Sequence, residues 1–246
     1  MITKSIPNLF TIGNLFLGVI AIIMAFNDEP NSAALLVIIA MLMDGLDGRV
    51  ARALNAQSEF GKELDSLSDV ISFGVAPAFI MYQAAFQEAN PAMAWIVTAI
   101  FPICGALRLA RFNVIAGIPG YFIGLPIPAA GGVLATLALF NKELHVSLLL
   151  ISTLALSFLM VSNMKYPNFK KLGLPKAAMW SIPIVVAGAA VLAYMFQEAI
   201  PKVILALLLV YALWGLKKNV DRLLPRRLRS RSSHEHDEEE ARKHSA

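Results

Sequence analysis

Long apolar runs constrain this chain more than any other feature. The first reads "NLFTIGNLFLGVIAIIMAF", and comparable runs recur to about residue 217. A helix needs about 20 apolar residues to cross a bilayer. A backbone in hydrocarbon must satisfy its own hydrogen bonds, and a helix does so within one segment. With 57% hydrophobic and 15% charged residues, the chain is too apolar for an ordinary soluble domain. Eight apolar segments are expected, at roughly 8–26, 32–54, 61–87, 92–112, 127–141, 145–163, 178–196 and 199–217. The stretches "NDEPN", "QEANP", "NKELH" and "QEAIPK" read as short polar connections with Pro or Asn as helix breakers. The predicted fold is an all-α, polytopic transmembrane helix bundle over 1–217, followed by a charged tail over 218–246.

The first segment is too long for a cleaved leader, and no small-x-small site follows it, so it is expected to remain. Cys104 is the single cysteine and lies in an apolar run, which excludes an intrachain disulfide and favours a packing role. The net charge of +4 is a matter of placement. With the N-terminus in the cytoplasm, every one of the 21 basic residues except Lys142 and Lys202 falls on the inner side. The basic excess is therefore a topology signal, and no nucleic-acid partner is needed to explain it. Both termini are predicted to be cytoplasmic in a multi-pass protein of the cell (inner) membrane. The tail sets a basic block before an acidic one and is expected to be disordered, with its basic part on anionic headgroups. His234 and His236 read as solvated tail residues rather than metal ligands.

Against this apolar background stands "DGLDGRVARALNAQSEFGKELDSLSD", residues 44–69. At 3.6 residues per turn, Asp44, Asp47, Gly48 and Ala51 share one helix face, with Arg52 at its edge. Gly61, Asp65 and Asp69 follow at i, i+4 and i+8 on the next helix, beside Ser68 and Ser72. Ser58 is the expected N-cap, with Glu59 and Glu63 in the first turns. Two adjacent helices would bring the four carboxylates together at the cytoplasmic interface. Like charges in a small, partly dry space need cations, and an oxygen-only ligand set selects Mg²⁺ or Mn²⁺. Four carboxylates suit two ions, about 4 Å apart, in the arrangement that clamps phosphoryl oxygens. Gly48 and Gly61 leave room for a nucleotide, and Arg52 is placed to pair with a phosphate. Ionisable groups at membrane depth are functional candidates.

The pattern Asp44-x-x-Asp47-Gly48-x-x-Ala51-Arg52, eight residues, then Gly61-x-x-x-Asp65-x-x-x-Asp69 resembles the signature of the CDP-alcohol phosphatidyltransferase family. The stretches "PNLFTIGNLFLG", "RLARFNV", "GLPIPAA" and "SNMKYPNFK" look like the serine-using, integral-membrane branch of that family. The resemblance implies transfer of the phosphatidyl group of CDP-diacylglycerol to L-serine, with release of CMP. It implies that Asp44, Asp47 and Asp65 hold one cation, and Asp44, Asp65 and Asp69 the other. Asp69 would be the catalytic base. Asn8, Thr11, Gly48, Ala51, Arg52 and Gly61 would meet the CDP-lipid. Arg108, Arg111, Asn113, Lys165 and Tyr166 are the candidates for serine binding, and one of the two arginines is expected to grip its carboxylate. A homodimer among membrane lipids is implied as well. Three other readings fit the same residues. Another acceptor, glycerol phosphate or inositol phosphate, would need more cations than serine. An archaeal ether lipid is a second possible donor. A cation transporter would place such carboxylates near mid-bilayer, often within inverted repeats, and neither is seen here.

Overall fold

The computed structural model describes residues 2–53, 57–114 and 121–167, together with positions 205, 210 and 212. Helices α1 (Ile2–Phe26) and α2 (Pro30–Ala53) form a hairpin. Helix α3 (Glu59–Asp69) runs through a π-helical stretch, Val70–Val75, into α4 (Ala76–Ala84). After a 3₁₀ turn come α5 (Pro91–Val114), strand β1 (Tyr121–Ile123), α6 (Ile127–Ala138), α7 (Val146–Val161) and strand β2 (Lys165–Pro167).

Six of the eight expected segments therefore correspond to helices. The segments at 178–196 and 199–217, the boundary at 217, and the tail with His234 and His236 lie outside the described residues. Among the described residues, three helical stretches are long and apolar enough to cross a membrane: Asn8–Phe26, Glu59–Ala84 and Pro91–Val114. Pro30–Gly45, α6 and α7 are shorter apolar helices. The chain is a mostly helical, integral membrane protein.

The all-α expectation needs one correction. β1 and β2 pair antiparallel, with Tyr121 opposite Pro167, Phe122 opposite Tyr166 and Ile123 opposite Lys165. Gly124, at φ 76, turns the chain out of β1 towards α6. Strands of three residues carry too little alternation to be read from sequence. They form here because the end of α7 brings "KYP" alongside "YFI".

The continuous α3–α4 helix is the axis of the bundle. Phe73, Ala76, Ile80 and Met81 on it are buried, and they pack in one core with Val37, Phe101 and Leu134. Small residues allow the approach. A Cβ on Gly18 of α1 would collide with Ser72, and one on Gly131 of α6 would collide with the backbone of Phe73. In a bilayer, where helix association rests on close packing, such positions decide which helices touch. At one end of the bundle three short connections meet. Gln83 Nε2 donates to Asp28 Oδ1 at 3.0 Å, and Asn141 Nδ2 donates to the Ala84 carbonyl at 2.5 Å. The signature aspartates lie at the other end.

Candidate active site

The helix that carries Asp65 and Asp69 is set up locally. Ser58, at φ −143 and ψ 152, is the N-cap, and its hydroxyl accepts from the Gly61 amide at 3.0 Å. Glu59 adds an acidic group to the first turn, where the helix dipole favours it. Two serines on the buried face then fix α3 against α1. Ser68 Oγ donates to the Thr11 carbonyl at 3.2 Å, and Ser72 Oγ donates to the Asn14 carbonyl at 3.0 Å. The α-helix gives way to the π-helical stretch directly after Asp69. Such wider turns re-aim neighbouring side chains and recur at functional sites.

This packing brings Asp44 of α2 to Asp65 and Asp69 of α3. One carboxylate oxygen from each lies within 4.8 Å of the other two. Asp69 is buried and the other two are half-buried. Three like charges at that spacing repel one another, and a hard cation converts the repulsion into binding. Oxygen ligands on opposite sides of one divalent ion stand roughly 4–5 Å apart, given bond lengths of about 2.0–2.6 Å. The triad therefore fits a divalent cation. The backbone places Asp47, Gly48, Ala51 and Arg52 in α2. The side chains of Asp47, Ala51 and Arg52 lie outside the described residues.

The other candidates divide into two groups. Asn8 lies against α3 one turn before Asp65: its Oδ1 lies 2.9 Å from where a Gly61 Cβ would stand, so the glycine is what lets α1 approach α3 there. Thr11 is buried one turn further along the same face. Asn113 reaches α3 from the end of α5, with Nδ2 donating to Ser66 Oγ at 3.0 Å and to Glu63 Oε2 at 3.5 Å.

Arg111 belongs to the second group. Its Nη1 donates to the Val161 carbonyl at 2.9 Å and to Asn163 Oδ1 at 3.1 Å. Its Nη2 donates to the Ser162 carbonyl at 3.0 Å and the Ile123 carbonyl at 3.4 Å. Val161 ends α7 and Ser162 is its C-cap, so the guanidinium sits on the negative end of that helix. It also ties α5 to the β1–β2 ribbon that holds Lys165 and Tyr166. Arg108, one turn earlier, is buried, with its guanidinium carbon 5.6 Å from the centre of the Phe112 ring. Tyr166 is fully buried, and burial pushes its phenol up to about 12, so the hydroxyl keeps its proton at any working pH.

Sequence reasoning passed over Asn14. It is fully buried in α1, one turn beyond Thr11 and ahead of an unbroken apolar run, and a carboxamide at that depth was a signal in itself. It also did not foresee Ser162 and Asn163 as acceptors for Arg111. Nothing in the spacing of "VSNM" marks such a role.

A membrane protein that gathers Asp44, Asp65 and Asp69 on two facing helices presents an oxygen-only site suited to a hard divalent cation. Residues 4–161 match the family model described as CDP-alcohol phosphatidyltransferase, and the chain belongs to that family. A CDP-diacylglycerol–serine O-phosphatidyltransferase of Helicobacter pylori is 45% identical over 174 residues, 67% of this chain and 73% of the relative. One of Methanocaldococcus jannaschii is 38% identical over 217 residues, 88% of this chain and 94% of the relative. An archaetidylserine synthase of Methanothermobacter thermautotrophicus is 40% identical over 175 residues, 69% of this chain and 72% of the relative. Family membership removes the transporter reading.

Proposed function

We propose that this protein transfers the phosphatidyl group of CDP-diacylglycerol to the hydroxyl of L-serine, giving phosphatidylserine and CMP. The observation that carries this reading is the convergence of Asp44, Asp65 and Asp69 in a chain of this family. Serine as acceptor is supported by the relatives, all three of which are named for serine products or substrates.

Asp44, Asp47 and Asp65 would hold one Mg²⁺ or Mn²⁺, and Asp44, Asp65 and Asp69 a second. When bound, such ions neutralise a pyrophosphate and the developing charge on departing CMP. The protein's own residues do the rest. Asp69, the most buried of the three described aspartates, takes the proton of the serine hydroxyl. The serine oxygen bonds to phosphorus as the phosphorus–oxygen bond to CMP breaks. Asn8, Thr11 and Gly61 form the α1–α3 wall against which the CDP-lipid rests. Arg108, buried one turn before Arg111 on the same helix, is assigned to the serine carboxylate, and Arg111, with its four oxygen acceptors, to tying α5 to the end of α7. The lipid tails, acyl or ether, stay in the bilayer. In this reading both termini and the site face the cytoplasm of the cell membrane, and the span count is eight.

The test is purified protein with CDP-diacylglycerol and, separately, L-serine, glycerol phosphate and inositol phosphate, scored by CMP release. Serine alone should support turnover. EDTA should abolish it, and Mn²⁺ or Mg²⁺ should restore it. Release driven by another alcohol, or full activity after thorough chelation, overturns the acceptor or the metal assignment respectively. Orientation is tested by labelling Gln57→Cys and Glu143→Cys in a Cys104→Ala background. The first should react from the cytoplasm only and the second from outside only.

A further inference from the structure

Asn14 is 0% exposed, and among the described residues no group bonds either its Oδ1 or its Nδ2. A buried carboxamide with neither end satisfied is costly, and native structures seldom keep one without a use for it. Its backbone carbonyl is engaged by Ser72, so the side chain contributes nothing to that link between α1 and α3.

Its position indicates the use. Along α3, Asp69 falls between Ser68 and Ser72, which bond the carbonyls of Thr11 and Asn14. On the other side, Gly13 abuts Met43, the neighbour of Asp44. Asn14 thus lies just beyond the heights of two triad carboxylates, at the deep edge of the cluster. Helical side chains lean towards their own N-terminus. That lean carries the carboxamide of Asn14 from the level of Ser72 back towards that of Asp69.

We propose that Asn14 is a substrate-contacting specificity residue that holds the acceptor beside Asp69. A carboxamide offers two N–H donors and one carbonyl acceptor. An amino-acid alcohol presents the complement: a carboxylate to accept from Nδ2, and an ammonium or hydroxyl to donate to Oδ1. Apolar neighbours such as Leu17 and Ala21 on the same helix offer neither. The side chain remains neutral, so it adds no charge to a cluster already crowded with carboxylates. This inference rests on the proposed phosphatidyl transfer to serine.

The test is Asn14→Leu, which keeps the bulk and removes both polar atoms. If the carboxamide has no partner within the protein, this variant should unfold at or above the wild-type temperature in detergent. Its KM for L-serine should rise about tenfold to a hundredfold, with the KM for CDP-diacylglycerol changed by less than about threefold. Asn14→Ser, which removes the carboxamide without adding bulk, should show the same split. An unchanged serine KM, a shift confined to CDP-diacylglycerol, or failure of both variants to fold would each overturn the proposal. A wild-type enzyme that does not turn over serine would instead overturn the reading beneath it.

Discussion

The carboxylates of Asp44, Asp65 and Asp69 and the guanidinium of Arg111 stand at the same end of the bundle, yet the fold treats them oppositely. The carboxylates are drawn towards one another, to within 4.8 Å, in an arrangement that repulsion alone would open. Arg111 is surrounded by oxygens that suit it: three backbone carbonyls and the side chain of Asn163. The first arrangement gathers three acidic oxygens at the spacing a divalent cation fills. The second is complete as it stands. Both looked alike in the sequence, as charged residues at the inner ends of apolar helices. The difference teaches that such a charge signals function when the fold gathers like charges at a ligand's spacing, and structure when it surrounds the charge with opposite partners.

The sharpest way to break the comparison is to neutralise the carboxylates. Asp44→Asn and Asp65→Asn should each lower turnover by about 10³-fold or more, because both are assigned to two cations. Both should fold, and titration with Mn²⁺ should show weakened binding even without substrate. Near-normal turnover in both variants would place the chemistry elsewhere. Arg108→Lys comes next. It keeps the charge and loses the two-point fork, so the serine KM should rise about tenfold while the CDP-diacylglycerol value holds. If neither constant moves, Arg108 is no closer to the substrate than Arg111.

Arg111→Met should behave in the reverse manner. It strips hydrogen bonds from the end of α7, from Asn163 and from β1, so thermal unfolding should show a loss of about 1–3 kcal/mol. Its serine KM should stay within about twofold of wild type, since its donors are already engaged. A selective serine defect with unchanged stability would reverse the roles given to the two arginines. The smallest effect is expected from Ser72→Ala. It removes one buried hydrogen bond between α1 and α3, worth about 1 kcal/mol, and should slightly loosen the seam that carries the triad.

How much of this was readable in the chain depends on the range of each interaction. The apolar runs placed α1, α2, the α3–α4 helix and α5 with little error, because a membrane span is a local property of composition and length. Ser58 was readable as a cap for the same reason: its partner, Gly61, is three residues away. The spacing of Asp44, Asp65 and Asp69 showed which residues share a face, and two of the three lie on one helix. What stayed hidden depends on distant neighbours. The pairing of "YFI" with "KYP" joins segments more than 40 residues apart. Asn14 became a candidate only when its side chain was seen to be fully buried with neither polar atom bonded among the described residues. The division of labour between Arg108 and Arg111 likewise arises where α7 ends. By itself the sequence determined which segments are helices and which charges lie at membrane depth, since hydrophobic length and helical period are carried by adjacent residues. Only the tertiary structure decided which of those charges are satisfied by the protein, because a carbonyl 50 residues away leaves no mark on the residue that bonds it.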